Sequence, residues 1–596
     1  MSEANRNGII VTESGGSDHA IGCLPTAVTA FVGRALRGPV SRPVQLGSFA
    51  DYQQVFGGLW QPSTLSYAVD QFFESGGREA VVVRVVNGGA PATITLPCGV
   101  ESLTLEALSP GSREVLRASV DYDNISANED DRFNLVVQRV RALGSEHIED
   151  QEIFRRISII PGTARFVTTA LQESTLVRVR DSTPFTRPDR TFRAGARHPI
   201  GYVNSNPDGD DGAPLTDYDL IGSPQRGTGL FALREVESVH FLCVPPPTRD
   251  RDLGPSVLLA ASQFCRDRRM MFVVDPPAAW TTCDEMLHGQ RELAFHSDHA
   301  LACFPRIMAY DRLRGRYETF ANCGAVAGAL ARMDVHRPLW QAGPDEEVLL
   351  RPGTRPVRVL TEAERSRLAS HGINPLQALR SADPRGVPLK TLAGGSGQGP
   401  DSALLTARRR QLLVINSIEY GTRWARFEGF DRSAWARLSR QVTSFLEPLA
   451  NAGLFGATRE DAPFHVVCDE RINSGDDLSA GCVHLLVSLR AQRTDDYQSF
   501  MITHRPEGSR VRAVRTNRLP AGARMAVVED DSQPALGDTQ PRRTLAQELV
   551  NPSPEPRDGA TSAARFGAPE ASAARRLDLD LVARLNRDFD RRGQRF

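Results

Sequence analysis

The chain has 596 residues, 40% of them hydrophobic, and a formal net charge of −1. This length is enough to bury a sizeable core and predicts several domains, at roughly 150 residues each. The near-neutral charge argues against a strongly basic nucleic-acid-binding protein and against attraction to an anionic membrane surface. No nucleic-acid partner is therefore expected.

The cysteines and the first residues indicate the compartment. Nine cysteines are scattered along the chain without a CxxC pair, which predicts reduced, mostly buried thiols instead of a disulfide framework. Residues 1–20 are polar and rich in Gly and Ser; they lack the features of a signal peptide and predict a flexible N-terminal arm. No apolar run approaches the ~18 residues of a membrane span. Assembly in the cytoplasm, with no direct membrane span, is the expectation.

The segment after the arm has the element order of an α/β unit. Ser48 and Asp51 fit a capping box for a helix over 49–56, and a second helix is predicted over 64–75. Paired glycines end each helix. The run Ala80–Val86 then predicts a strand that is buried on both faces.

Residues 89–200 change character, because short alternating segments lie there between turn residues. They predict an outer β-rich domain inserted into an α/β core made of 21–88 and 201–345. Alternating strands and helices return in the second part of that core and favour a sheet covered by helices. The predicted elements there are strands at Val239–Val244 and Met270–Asp275 and a helix at Pro255–Cys265.

The remaining chain predicts a linker, a third domain and a tail. Residues 346–400 have the composition of a linker, and residues 401–518 predict a C-terminal α+β domain. Its clearest helix, Ser433–Ala450, carries one apolar stripe. Residues 519–596 predict a disordered tail, in which Leu577–Phe589 is either a weakly helical end or an amphipathic docking helix. The predicted fold class is α/β and α+β multidomain: a layered α/β core, an inserted β-rich domain and a C-terminal α+β interlocking domain.

One cluster of residue types suggests a metal site, but its spacing does not support one. Cys283, His288, His296, His299 and Cys303 are all possible zinc ligands. Structural zinc sites show close pairs of ligands, and here only the two histidines of the HSDH sequence are close. Buried or surface polar residues are the better interpretation, and no metal is expected.

The acidic segment around residue 210 imitates a calcium loop. Asn206, Asp208, Asp210 and Asp217 match ligand positions, but Asp211 occupies the position where the loop needs glycine. A flexible acidic loop is therefore preferred over a calcium site.

No motif for catalysis or cofactor binding emerges from the sequence. Gly394–Gly399 lacks the GxxxxGK[ST] pattern of a phosphate-binding loop, and Lys390 precedes these glycines instead of following them. There is no GxSxG, HExxH or kinase signature. The chain is expected not to be an enzyme and to use no cofactor.

The order of segments resembles the phage tail sheath protein family over about residues 20–505. The N-terminal part, TAVTAFVGRALRGPV, FADYQQVFGG and YAVDQFFESGGREAVVVRVV, is similar to the family's signature. Further landmarks follow in the family's order. They are Leu215–Gly222, Leu233–Pro245, Ala325–Asp334, Gly372–Pro375 and Arg408–Phe427. Departures occur at Cys303–Arg306 and Lys390–Leu392, and the tail after 519 has no counterpart in the family.

The resemblance implies a structural protein that works by assembly. Sheath proteins of contractile phage tails and tail-like injection systems form hexameric rings, stacked as a helix around an inner tube, and contract to drive the tube through a target envelope. The implied partners are other copies of the chain, the inner tube protein, and baseplate and terminal cap proteins. The implied final location is a phage tail or a phage-tail-like particle, a class that includes released particles.

The resemblance also implies two sets of site residues. In the family, terminal arms add strands to a sheet in the C-terminal domain of neighbouring subunits, by β-augmentation. Here Ile9, Ile10 and Val11 of the N-terminal arm, and Val511 and Val514, fit such strands. Tube contact in the family runs through the C-terminal domain and is partly electrostatic. The candidates for it here are Arg432, Arg437 and Arg440.

Two other classes of function are compatible with the sequence. One is another structural component of a contractile tail, either a baseplate or a tube-associated protein. The other is a metal-dependent enzyme that uses the His296 region. The length and the α/β alternation argue against a tube protein, since tubes are usually small β-barrels.

Overall fold

In a computed structural model, the described residues are 20–191, 201–340, 348–378, 388–393, 403–427, 432–456, 462–492, 497–515 and 528–529. The chain divides into two compact units. The core unit comprises Ala27–Val335 and Glu347–Val387. The C-terminal unit comprises Met1–Thr26, His336–Glu346 and Pro388–Phe596.

The core unit alternates strands and helices. In chain order its elements are β1 (Thr29–Gly33), β2 (Val44–Leu46), α1 (Phe49–Phe56), α2 (Leu65–Ser75), β3 (Ala80–Arg84), β4 (Pro91–Cys98), β5 (Glu101–Pro110), β6 (Leu116–Asp121), β7 (Arg132–Val140), β8 (Ile148–Ser158), α3 (Val167–Ala170), β9 (Val177–Val179), β10 (Val203–Asn204), α4 (Asp217–Ile221), β11 (Phe241–Cys243), α5 (Pro255–Arg268), β12 (Met271–Val274), α6 (Cys283–Leu293), β13 (Ala300–Phe304), β14 (Ile307–Asp311), β15 (Arg316–Phe320), α7 (Cys323–His336), β16 (Leu349–Leu350), β17 (Arg355–Pro356), α8 (Glu362–Ser370), β18 (Ile373–Pro375) and β19 (Gln377–Ala378).

A mixed sheet forms the centre of this unit. Within the described residues its strand order is β18-β13-β12-β11-β1-β3-β2, and every neighbouring pair is parallel except β2 with β3. Every residue of β1, β3, β11, β12 and β13 is buried. Such strands are continuous apolar runs because both faces of the sheet are covered. The predicted layered α/β core is confirmed.

The predicted capping of α1 is confirmed in part. The Ser48 hydroxyl accepts a hydrogen bond from the backbone N–H of Asp51, as a capping serine does. The Asp51 carboxylate accepts from the N–H of Gly47, at 3.0 Å, instead of completing the box at Ser48. Gly57 ends the helix with a φ of 89°, a left-handed conformation that glycine adopts without steric cost.

The segment expected to be a linker contains regular structure. Between 349 and 378 the chain forms β16 to β19 and α8, and β18 pairs with β13 as a strand of the central sheet. The Thr361 and Glu364 side chains form a reciprocal capping box at the start of α8. The structure therefore differs here from the linker interpretation, and the S/T-x-x-E pattern at 361–364 was the signal for a helix.

Between 91 and 204, the described residues form a sandwich of two antiparallel sheets. One has the order β4-β5-β9 and the other β10-β6-β7-β8. Alternate residues of both sheets, such as Ile94, Leu105, Leu135 and Ile157, are fully buried in one hydrophobic core. This pattern is that of a β-sandwich, whose strands alternate between core and solvent.

The C-terminal unit is an antiparallel sheet with helices. Its elements are α9 (Leu405–Gly421), α10 (Arg432–Asn451), β20 (Phe464–Val467), α11 (Gly475–Ser479), β21 (Val483–Arg490), β22 (Tyr497–Arg505), β23 (Gly508–Arg515) and β24 (Val528–Glu529). The strands are ordered as numbered, and neighbours are antiparallel. The predicted C-terminal α+β fold is confirmed. In the described part of the chain, no helix is long and apolar enough to cross a membrane.

Candidate assembly surfaces

The amphipathic stripe of α10 anchors the core of the C-terminal unit. The stripe predicted from the sequence is buried along its whole length. Its members are Trp435, Leu438, Val442, Phe445, Leu446 and Leu449. They share one hydrophobic core with Leu485, Phe500 and Ile502 of the sheet. The opposite face of α10 is therefore left to solvent or to a partner.

The three arginines predicted to face the tube do not share one environment. Arg432 and Arg440 are exposed on the outer face of α10, and Arg432 forms an ion pair with Glu470 at 2.7 Å. Arg437 is partly buried, with its guanidinium 5.0 Å from the centroid of the Trp424 ring. Arg432 and Arg440 are thus presented outward, whereas Arg437 contributes to the packing of the unit.

The sheet of the C-terminal unit has open edges within the described residues. β20 pairs only with β21 there. β23 pairs with β22 along its length, but with β24 only at Val514 and Arg515. Within the described residues, β20 therefore forms one edge of this sheet, and β23 with the short β24 forms the other. Open edges of this kind are templates for an added strand.

The predicted arm residues are placed only in part. Ile9, Ile10 and Val11 lie outside the described residues. Val511 and Val514 lie in β23, and their side chains point into the unit, 4% and 7% exposed. These two valines belong to a strand of the chain's own sheet. Exchange of this strand between copies stays a prediction.

The residues that follow the N-terminal arm lie on α9. Ile21 packs against the hydrophobic core of the C-terminal unit. The N–H of Leu24 donates to the Ser417 hydroxyl at 3.1 Å, and Arg409 donates to the carbonyl of Thr26 at 3.2 Å. The first described residues therefore belong to the C-terminal unit, and the core unit starts at Ala27.

A buried histidine joins three segments of the C-terminal unit. The Thr422 hydroxyl donates to the Ile418 carbonyl at 2.6 Å, so its oxygen accepts from Nε2 of His504, 2.9 Å away. Nδ1 of His504 then accepts from the Ser509 hydroxyl at 2.8 Å. Burial lowers the pKa of His504 to about 4. The ring is therefore neutral at neutral pH, with the tautomer set by its two partners.

A buried arginine stands at the base of the sandwich. Arg84 ends β3, and its guanidinium donates to the carbonyls of Ala35, Gly38, Leu36 and Pro110 at 3.1, 2.7, 3.4 and 2.7 Å. Burial lowers its pKa to about 10, so it remains a cation at neutral pH. Arg84 ties the loop after β1 to the end of β5. In the sequence, Arg84 lies within an apolar run, and no local pattern indicates this role.

The possible metal ligands are spread over different environments. Cys283, His299 and Cys303 are buried, while His288 and His296 are exposed. Nδ1 of His299 bonds to the carbonyl of Met270 at 2.8 Å. Among the described residues, no group of three or more His, Cys, Asp or Glu side chains is arranged to hold a metal ion.

The acidic loop residues bind their own chain. The Asp208 carboxylate accepts from the N–H and the hydroxyl of Thr93, at 2.9 and 2.5 Å. Asn206 donates to the same hydroxyl at 2.9 Å, and Asp217 accepts from the N–H of Gly254 at 3.3 Å. These contacts fasten the segment after β10 to β4 and to the start of α5.

At the carboxyl ends of β12 and β13, in the position where doubly wound folds often bind ligands, polar groups bind the chain itself. Asp275 follows β12, and its carboxylate accepts from the N–H groups of Asn322 and Cys323, both at 2.7 Å, at the start of α7. Burial raises the pKa of Asp275. The Asn322 amide donates to the Cys303 carbonyl at 2.7 Å. Asp275 thus caps α7 and joins it to the sheet.

The architecture is that of a tail sheath protein: a parallel-sheet core with an inserted sandwich, and a C-terminal unit that combines helices with an antiparallel sheet. The sheath tail protein of Listeria innocua has this fold. The two align with a TM-score of 0.54 and 13% identity, over 82% of this chain and 97% of that one. The predicted resemblance to tail sheath proteins is confirmed at the level of the fold.

Two further solved structures align with TM-scores of 0.47. One is the sheath tail protein of Desulfitobacterium hafniense, 10% identical, aligned over 84% of this chain and 100% of that one. The other is the contracted sheath complex of an extracellular contractile injection system, 13% identical, aligned over 83% of this chain and 97% of that one. No protein-family model and no curated protein matches the sequence.

Proposed function

We propose that this chain is the sheath subunit of a contractile phage tail or phage-tail-like injection system. Copies polymerise as stacked hexameric rings around an inner tube, and contraction drives the tube through a target envelope. The role is structural and needs no catalysis. The observation that carries the proposal is the agreement of the fold with a sheath tail protein over 97% of that protein's length.

The C-terminal unit supports the proposal through its open sheet edges. A strand supplied by a neighbouring copy can pair there through main-chain hydrogen bonds, which are independent of side-chain identity. Arm residues Ile9, Ile10 and Val11 are the proposed donors, and β23 with Val511 and Val514 is the second proposed exchange element. A link of this kind holds while the rigid units on either side of it rotate.

The outer face of α10 supports a contact with the inner tube. Arg432 and Arg440 are exposed there, and an arginine fork matches carboxylates of a facing surface. Arg437 is assigned a packing role instead, because it lies against Trp424. Baseplate and terminal cap proteins are the further proposed partners. The proposed subunits assemble in the cytoplasm and end up in the phage tail or tail-like particle.

Electron microscopy in negative stain tests the proposal directly. The full chain is purified alone and after co-expression with its candidate inner tube protein. Hollow tubes or cogwheel-shaped rings are expected, longer and more regular when the tube protein is present. Dispersed monomers under both conditions would contradict the sheath function.

A further inference from the structure

The N-terminal arm starts beside an exposed aromatic surface of the C-terminal unit. We propose that this surface holds the apolar arm residues Ile9, Ile10 and Val11 of the same copy before assembly. The arm then becomes available to a neighbouring copy only after it is released, so a free subunit restrains its own polymerisation. This inference rests on the proposed function, since it concerns the regulation of the same strand exchange.

The path of the first described residues locates the start of the arm. Ile21 lies at the last residue of α9, because a Cβ on Gly421 would be 2.8 Å from its Cγ1 atom. The carbonyl of Thr26 accepts from Arg409, near the beginning of the same helix, at 3.2 Å. The segment thus runs along α9 from its C-terminal end towards its beginning. Residues 1–19, which lie outside the described residues, are therefore attached at the C-terminal end of α9.

The surface at that end of α9 is aromatic. Tyr420 is 48% exposed, and Phe427, which follows the short 3-10 helix Arg423–Arg426, is 81% exposed. We name these two rings, with the arginines that lie over them, the aromatic patch. An isolated apolar residue on a surface needs no explanation, but two large exposed rings in one short segment indicate a contact surface.

Arginines fix the aromatic patch to the C-terminal unit. The guanidinium of Arg423 lies 4.9 Å from the centroid of the Tyr420 ring, and that of Arg426 lies 5.4 Å from the centroid of the Phe427 ring. Arg426 also donates to the carbonyl of Arg505 in β22, at 3.3 Å. The rings are therefore supported from within the unit, and such a rigid presentation lowers the entropy cost of binding.

Apolar contact, and not charge, selects the occupant of the patch. The Arg423 guanidinium is already paired with the Glu419 carboxylate, at 2.9 and 3.2 Å. What the patch offers to a partner is mainly the exposed surface of its two rings, which pack best against aliphatic side chains. Among residues 1–19 the aliphatic side chains are concentrated in the run Ile9–Val11, since the rest of this segment is polar or glycine apart from Met1 and Ala4.

The length of the connection favours the arm of the same copy. Residues 12–19 separate Val11 from the first described residues and can span roughly 25–30 Å when extended. Because Ile21 touches Gly421, the residue after Tyr420, the apolar run is within reach of the patch. A short linker gives an effective concentration in the millimolar range. At micromolar concentrations of subunit, the arm of the same copy therefore occupies the patch in preference to that of another copy.

Docking on the patch and donation to a neighbour exclude each other, because both use Ile9, Ile10 and Val11. A growing polymer offers a sheet edge, where main-chain hydrogen bonds add to the side-chain contacts of the arm. The arm therefore transfers from the patch to that edge once a polymer exists. The patch thus delays the start of assembly and has less effect on growth.

Photo-crosslinking tests the contact. A benzophenone amino acid is placed at Ile10 of the full chain, and the protein is irradiated at low concentration, where it is monomeric. Crosslinks are expected in the peptide that contains Tyr420 and Phe427, as identified by mass spectrometry, within a product that has the mass of one chain. The inference is overturned if this peptide is not crosslinked, or if it is crosslinked only in a product with the mass of two chains.

Removal of the patch tests the restraint on assembly. Tyr420→Ser combined with Phe427→Ser should fold normally, because both rings are exposed; circular dichroism and thermal melting check this. Light scattering should show a lag before polymerisation that is roughly tenfold shorter than that of wild type, since a larger fraction of the subunits then has a free arm. Tyr218→Ser combined with Val359→Ser, at exposed positions of the core unit, is the matched control and should keep the wild-type lag.

The outcomes separate this inference from the proposed function. If wild type forms tubes but the patch variant has an equal or longer lag, the inference is overturned and the sheath function stands. If the crosslink forms within single chains but neither protein forms tubes, with or without a tube protein, the docking of the arm is supported and the sheath function is overturned. If neither crosslink nor tubes are found, both are overturned.

Discussion

Arg84 interrupts a run of valines, and its whole side chain is buried. Its guanidinium satisfies four backbone carbonyls from two segments. A single cation can do this because the guanidinium presents five N–H donors in a planar fork. Without it, the loop after β1 and the end of β5 would keep buried carbonyls with no donor.

Replacement of Arg84 therefore has a clear expected result. Arg84→Met should destabilise the core unit by about 3 kcal/mol, because each buried acceptor left unsatisfied costs roughly 1–3 kcal/mol. Arg84→Lys should recover little, since an ammonium cannot reach all four carbonyls. Urea denaturation measures both, and Arg78→Met, at an exposed position close by in the chain, is the matched control. If Arg84→Met is as stable as wild type, the four carbonyls do not depend on Arg84 for their hydrogen bonds.

His504 predicts a pH dependence of the C-terminal unit. Burial lowers its pKa from 6.5 to about 4, so the unfolded chain binds the proton more tightly than the folded one. The stability due to the neutral ring is complete above pH 6.5 and is lost as the pH falls towards 4. By linkage this loss amounts to about 3 kcal/mol. His504→Gln should lose less stability over the same range.

Urea denaturation of wild type and of His504→Gln at pH 7.5 and pH 4.5 measures this difference. Carboxylates elsewhere affect both proteins alike, so the gap between the two pH responses reports His504. If the two proteins lose the same stability between these pH values, the His504 ring is not buried in its neutral form. Neither role could be assigned from the sequence, because Arg84 binds carbonyls before and after it in separate segments and His504 depends on Thr422, which is distant along the chain.

At the scale of helices, two glycines set the distance between α7 and α2. A Cβ on Gly324 would lie 2.0 Å from the Ala68 carbonyl oxygen, and a Cβ on Gly328 would lie 2.3 Å from that of Phe72. Both are backbone atoms, so neither can move aside without shifting a helix. The glycines in the segment CGAVAGAL thus permit the two helices to touch backbone to backbone.

Gly324→Ala should therefore destabilise the core unit by about 2–3 kcal/mol, the usual cost of overpacking a rigid core. Thermal melting of the purified chain measures the loss. Gly475→Ala is the matched control, because a Cβ there meets nothing within 4 Å. A melting temperature for Gly324→Ala equal to that of wild type would mean that α7 is free to move away from α2.

At this scale, elements with local sequence signals were predicted correctly, whereas an element that depends on distant residues was not. Helices α1, α2, α5 and α10 were recognised because their signals are local: a capping serine, a terminal glycine pair, an initial proline, an apolar stripe. The segment Ile373–Pro375 was not, because a strand of three residues shows no periodicity. Its pairing with β13, about 70 residues earlier, is what makes it a strand.

At the scale of the whole molecule, the outer face of α10 provides a prediction for assembly. Arg432→Glu combined with Arg440→Glu should weaken binding to the inner tube, and the loss should be largest at low salt, because exposed charges are screened as ionic strength rises. Arg437→Glu should instead lower the stability of the C-terminal unit, since its guanidinium lies over Trp424.

Co-sedimentation with the tube protein at 50 and 500 mM salt, chosen as about a tenfold range for screening, separates these effects. Thermal melting reports folding of each variant. If the double variant still binds the tube fully at low salt, Arg432 and Arg440 do not take part in the contact. From the sequence, the three arginines looked equivalent; their different burial depends on Trp424, which lies before α10 in a separate segment.

The contact of Ile21 and Leu24 with α9 has a consequence for biosynthesis. Leu24 and its partner Ser417 are separated by 393 residues, and a ribosome needs roughly 20–80 s to add that many. During this time Ile21 and its neighbours are already synthesised, but α9, which covers them in the folded chain, is not. The core unit is able to fold in the meantime. The C-terminal unit is thus completed late in translation, and the proposed self-association through its sheet would have to wait for the finished chain.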